Sequence, residues 1–266
     1  MKRLFGYVFT LIIVSSSVMI TGCKKGPNDP FFSIHSRKAR VTGFWDFQKY
    51  DLVTTTVSDS GVKVIEHLTI EGESARLVTD TVYSSEDTTI TLTGKLKEGY
   101  YEFMKDGRMA YVLRYELVDQ PADIYDENTD LTFSEKTTHT IEYRGNGTWN
   151  FLNKIDTYKN KERISLVFEN YSFRHEVKYY STKVNADGEV QPGYPTFYNN
   201  VTVETNQYAN GEFAELWLID MLKNKEMNIW RIIDNQYVIS NTSTGGLSTT
   251  TSVYVNGTET VNLIQE

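Results

Sequence analysis

His175-Glu176-Val177-Lys178-Tyr179 comes one residue short of H-E-x-x-H. In that motif two histidines on one helical turn hold zinc, and the glutamate acts as base. Here Tyr179 stands where the second histidine is needed. The flanking residues alternate as in a strand, and zinc needs several converging ligands, so the segment reads as a partly exposed strand. His35, His67 and His139 are scattered and belong to no motif. They read as surface or core-edge side chains. Asp119, Asp123, Asp126, Glu127 and Asp130 could offer oxygen ligands to calcium. They lack the D-x-D-x-D-G spacing that preorganises such a loop, so a solvated acidic turn is expected. No G-x-S-x-G elbow and no phosphate-cradling glycine loop occurs. A Ser-His-Asp arrangement would be for the fold to assemble. Cys23 is the only cysteine, so no disulfide can form within the chain.

The elements that would position these residues are strands. Val62, Val64, Leu68 and Ile70 alternate with Lys63, His67 and Thr69, and Tyr111, Leu113, Tyr115 and Leu117 alternate with Val112, Arg114 and Glu116. Ile164, Leu166 and Phe168 repeat the pattern, and Met227 and Ile229 flank Asn228. Such alternation marks antiparallel strands with one face in a core. Asn146-Gly147, Asn210-Gly211 and Asn256-Gly257 are hairpin signals, and Asp187-Gly188 is a further turn. A type I′ turn at 146–147 would set Ile141 opposite Leu152. Loops are expected over 119–130, 185–195 and 240–250. No stretch of ten residues shows helical periodicity. Asp29-Pro30 could cap a brief helical turn through Ile34. Roughly ten to twelve strands result, and closure into a barrel or sandwich would protect their edges.

The 266 residues carry 27 basic and 35 acidic side chains, a net charge of −8. With no basic stripe the chain is a poor match for nucleic acid, whose affinity comes mainly from phosphate neutralisation. Tyr is abundant at 18, beside 13 Phe and 4 Trp. This richness suits sheets and surfaces with one apolar and one wet side.

Met1-Lys2-Arg3, an apolar run from Leu4 to Ile20, and then Ile20-Thr21-Gly22-Cys23 together resemble the signal and lipobox of bacterial lipoproteins. The resemblance implies cleavage after Gly22 and lipidation of Cys23. Two or three acyl chains would then make release from a bilayer very slow. Lys24 follows the cysteine, and Lys24-Lys25-Gly26 carries no acidic export tag. The resemblance thus implies the outer membrane, on its periplasmic face. A tether over 24–30 would reach at most roughly 25 Å.

The stretch from Asp29 to Gly43-Phe44-Trp45 resembles the opening of uncharacterised Gram-negative lipoproteins with a lipocalin-like domain. Gly43 and Trp45 are similar to the G-x-W of the first lipocalin strand. Leu131–Ser134 with Gly147–Trp149, and Leu216–Ile229, look like two later strand pairs of such domains. Lipocalins pair that tryptophan with a late-strand arginine, and Arg231 is the nearby candidate. The resemblance implies an all-β fold, an antiparallel lipocalin-like β-barrel.

The expected organisation is therefore a signal peptide over 1–22, the lipidated Cys23 with tether and short helical turn over 23–37, and one barrel domain over 38–266. The expected function is a lipid-anchored envelope protein holding a small apolar or amphipathic ligand in its barrel. The alternative is a structural or accessory lipoprotein with a solid core and an envelope protein as partner. A carboxylate hydrolase ranks third. No catalytic residue, metal ligand or cofactor is assigned, and no enzyme activity is expected.

Overall fold

The computed structural model describes residues 36–265, save 60, 84–86, 156, 160, 161 and 243–247. Cys23, the signal, the tether, the helical turn expected over 29–34 and His35 lie outside the described residues.

Among the described residues, one five-residue helix, α1 (Arg37–Val41), precedes twelve strands. These are β1 (Gly43–Ser58), β2 (Lys63–Glu71), β3 (Ser74–Val82), β4 (Asp87–Phe103), β5 (Arg108–Asp119) and β6 (Ile124–Asp126). They continue as β7 (Leu131–Phe151), β8 (Arg163–Asn185), β9 (Thr196–Gln207), β10 (Phe213–Leu222), β11 (Glu226–Thr242) and β12 (Ser248–Ile264). All belong to one antiparallel sheet. Alternation leaves barrel and sandwich open; the all-β antiparallel barrel is the fold observed.

The strands pair mostly with chain neighbours, as an up-and-down ring must. Two of the wall's elements are interrupted. β9 lies along residues 170–181 of β8, and β10 along 163–168 of the same edge. Likewise β6 follows β5 along one edge of β7. β12 closes the circle by pairing with β1.

The ring tapers. The first residues of β1, 43–46, pass β2 and β3 and pair with 100–103 of β4. Eight strands therefore close the base: β1, β4, β5, β7, β8, β10, β11 and β12. Further along, β2 and β3 enter the wall between β1 and β4. At that end no ladder joins β9 to β11 among the described residues, so the barrel is shut at its base and splayed at its mouth.

Base packing is dense and aromatic. Trp45, Tyr101, Phe103, Phe168 and Trp217 are buried with Ile164, Leu166, Leu222, Met227 and Ile229. The lanes read from the sequence are those that face inward. Helix α1 is too short to stand alone and is held by the base. Val41 is buried, and the Arg40 guanidinium donates to the Leu222 carbonyl of β10. Ser36 caps the helix by accepting from the Ala39 amide at 3.1 Å. No described helix is long and apolar enough to cross a membrane, which says nothing of strands.

Several turn assignments are corrected. Asn146-Gly147 lies inside β7, which runs unbroken from Leu131 to Phe151. Ile141 pairs with Tyr115 and His175, not with Leu152. The segments 131–134 and 147–149 are two parts of this one strand, not a pair. Asn256-Gly257 is likewise inside β12, and the expected loop over 240–250 carries the ends of β11 and β12. Asn210-Gly211 does turn, but it links β9 to β10 along one neighbour and makes no hairpin. Asp187-Gly188 turns between β8 and β9 as expected.

The reason is close approach. A Cβ on Gly147 would stand 2.0 Å from the Val167 carbonyl oxygen, at a shift in the β7–β8 register. Glycine serves here because nothing larger fits where a strand coils against its neighbour. Gly147→Ala should cost about 1–3 kcal/mol by overpacking. A urea titration with unchanged slope and lowered midpoint would show it; an unmoved midpoint would refute it.

Candidate functional site

Above the packed base the lumen is not filled. A cavity of about 180 Å³ remains, bordered by Tyr50, Leu52, Leu68, Tyr101, Tyr111, Leu113, Tyr115, Tyr143 and Tyr171. Period-two placement delivers these side chains: Tyr111, Leu113 and Tyr115 are successive inward positions of β5, and Tyr50 and Leu52 of β1. A void of about 150 Å³ accepts benzene in an apolar protein core, so this one has the size of a single-ring molecule. Tyr101 and Leu113 at its depth are buried, whereas Leu52, Thr54, Tyr143 and Ile233 at its rim are half-buried. The cavity therefore faces the splayed end.

Its floor is charged. Arg231 of β11 stands directly across from Glu259 of β12 in the ladder, with Nε 2.5 Å from Glu259 Oε2. Its Nη1 lies 2.8 Å from Oε1 of Glu215 on β10. The Trp217 indole donates to Glu215 Oε2 at 2.9 Å, and the guanidinium sits 5.0 Å from the Trp217 ring centroid. The Tyr50 hydroxyl donates to Glu259. Glu215 is 7% exposed and Glu259 3%. One guanidinium thus serves two buried carboxylates.

The environment acts on the protons. Burial pushes the Glu215 carboxyl up to about 7; Arg231 opposes this and Glu259 reinforces it. Burial works against the Arg231 charge, but Glu259 and Glu215 outweigh it and hold the guanidinium protonated. Burial, then Glu259, raises the Tyr50 hydroxyl far above its ordinary range, and burial, then Glu215, does the same for Tyr101. Tyr143 rises to about 12 through burial first and Glu66 second. All these hydroxyls keep their protons at neutral pH and can donate into the lumen.

A second opening reaches the same charges from the side. β10 and β11 pair only as far as Leu218 and Trp230. Beyond that point β10 stays with β8 and β11 with β12, and a groove of about 430 Å³ forms between them. Tyr171, Glu215 and Arg231 border both groove and cavity.

The residues singled out in the sequence fall as follows. Gly43 has φ of 139°, and a Cβ there would stand 2.3 Å from the Gln265 side-chain nitrogen. Trp45 is wholly buried and donates to the Val41 carbonyl at 2.7 Å. Both belong to the closed base, away from the cavity. Arg231 stacks on Trp217, so the lipocalin-type pairing expected with Trp45 is corrected to a different tryptophan. On β8, His175 and Glu176 point to opposite faces, as strand neighbours do. Glu176 bonds Arg174 and Lys178 at 2.9 and 3.0 Å. His175 meets His139 instead, Nε2 to Nδ1 3.2 Å. His67 bonds Asp51 at 2.8 Å. Asp126 accepts from the Asn128 amide and the Thr129 hydroxyl, and Tyr125 donates to Asp130. Among the described residues no group of three or more His, Cys, Asp or Glu could hold a metal.

Glu215 and Glu259 were not foreseen. Their signal was present: Phe213, Glu215, Trp217 and Ile219 share one inward lane, and Glu259, Val261 and Leu263 another. A charge in a lane of large apolar residues marks either a paired core ion or a site.

No family model matches the chain, and no curated protein matches it. Among solved structures, the TodX monoaromatic hydrocarbon channel deltaS2 mutant aligns over 85% of this chain and 91% of its own. Identity is 7% and the TM-score 0.18, a likeness too slight to bear on fold or function.

Proposed function

We propose that this chain is a lipid-anchored envelope protein whose barrel holds a small amphipathic molecule. One observation carries the reading: the lumen keeps a single-ring-sized void above a filled base, ringed by tyrosines and floored by charge. Binding sites are usually concave and mostly apolar, with a few polar groups that fix orientation. The lipobox-like Ile20-Thr21-Gly22-Cys23 and the G-x-W at 43–45 support the membrane anchor and the lipocalin-like family. The lysines after Cys23 support an outer-membrane place facing the periplasm.

A second reading, an accessory protein docking an envelope partner, is favoured by β9. Its Phe197 is 75% exposed and its Val203 59%. Native mass spectrometry of the full chain extracted from its own envelope separates the two. A bound molecule of a few hundred daltons or less, lost when Leu68→Trp fills the cavity, is the expected result. A ligand-free spectrum would overturn the first reading in favour of the second. The same spectrum should carry the mass of acyl chains on Cys23, and an unmodified thiol would end the anchor.

A further inference from the structure

We propose that the molecule held above the Glu215–Arg231–Glu259 floor is a small organic cation, a compact aromatic or aliphatic body bearing a protonated amine. This rests on the cavity being a binding site and names the chemistry it selects.

Charge accounting favours this class. Arg231 is the cavity's one cation among the described residues, and both carboxylates already engage it at 2.8 and 2.5 Å. An anionic ligand would bring a third negative charge to one guanidinium that two buried carboxylates already engage. The two carboxylates, by contrast, share a single cation, so with both ionised the floor carries one negative charge in excess. Glu66, an exposed residue of β2, adds negative charge that acts on the Tyr143 and Tyr115 hydroxyls. The walls agree. Tyrosine rings present negative π faces that attract ammonium groups, most strongly where water is excluded. The side groove between β10 and β11 gives a second approach to Glu215.

Binding should also move a proton. The groups facing Glu215 are Arg231 from β11, Glu259 from β12, Tyr101 from β4 and Tyr171 from β8, with Trp217 on its own strand. With burial and Glu259 against its ionisation, Glu215 is partly protonated near neutrality. An ammonium placed beside it favours the carboxylate, so the proton leaves as the amine enters.

Calorimetry of the full chain in mild detergent tests this with three probes on one phenethyl frame: phenethylammonium, 2-phenylethanol and 3-phenylpropionate. Phenethylammonium should bind at least ten-fold tighter than the alcohol, and phenylpropionate most weakly. Its affinity should rise about ten-fold from pH 6 to pH 8, with proton release detected as a buffer-dependent heat. Glu215→Gln should erase the preference for amine over alcohol. Equal binding of amine and alcohol, or tighter binding of phenylpropionate, would overturn the cation and leave the cavity reading standing. Binding of none of the three would overturn both. A folded Glu215→Gln protein that keeps the ten-fold preference would also overturn the assignment. The three-probe comparison on the unmodified chain decides without any variant.

Discussion

Arg231→Met should destabilise the barrel by about 3–5 kcal/mol at pH 8 and by much less at pH 5. The methionine fills a similar volume but leaves Glu215 and Glu259 buried, adjacent and without a cation. Each carboxylate then pays desolvation with no return. Glu215, whose carboxyl burial already raises, loses the cation that opposes the shift. For an acid shifted that way the penalty is absent below the unfolded value and grows as pH climbs through it. Urea titrations at the two pH values measure the difference, and an equal loss at both would refute the account. Glu215→Leu/Arg231→Met/Glu259→Leu gives the complement. With all three charges gone it should be at least as stable as the natural chain, because apolar replacements of buried ion clusters commonly are. Such a result would say that the cluster is kept for something other than stability, as a binding floor would be.

Trp45→Ala should cost about 3–5 kcal/mol whatever the pH. Trp45 is 0% exposed, and its partner across the ladder is Tyr101 on β4. That pairing is where β1 leaves β2 and closes the eight-stranded base. The indole also donates to Val41, the last residue of α1. Truncation therefore leaves a large cavity, removes a hydrogen bond worth about 1 kcal/mol and loosens the helix on the base. Trp45→Phe keeps most of the ring and should lose less than half as much. Faster hydrogen exchange where β1 pairs with β4 would accompany both variants. A fall of under 1 kcal/mol for the alanine variant would mean that the base closes without this side chain.

The two experiments divide the barrel in a useful way. The base around Trp45 is apolar and close-packed, and its contribution is insensitive to pH. The floor around Arg231 is ionic, and its contribution follows the protonation of Glu215. The step between them is where the wall widens from eight strands to admit β2 and β3. Side chains that fill the narrow ring no longer meet across the wider one, which is why the void begins there.

Much of this was legible in the residues alone. Inward lanes such as 111, 113, 115 and 117, or 164, 166 and 168, follow from the two-residue period of a strand. That period requires no knowledge of partners. Gly43 and Trp45 could be placed near the first strand by motif. The meaning of Asn146-Gly147 and Asn256-Gly257 could not. A turn and a close strand crossing ask the same thing of glycine, the absence of a Cβ, and only the path of β8 beside β7, or of β1 beside β12, says which applies. The floor was hidden for a related reason. Glu215, Arg231 and Glu259 are separated along the chain and meet because three strands present them at one height, a height fixed by register. The sequence by itself determined which face of each strand turns inward, since alternation is local chemistry. Tertiary structure alone decided that the inside stays hollow over a shared charge, because ring width depends on how many strands close it.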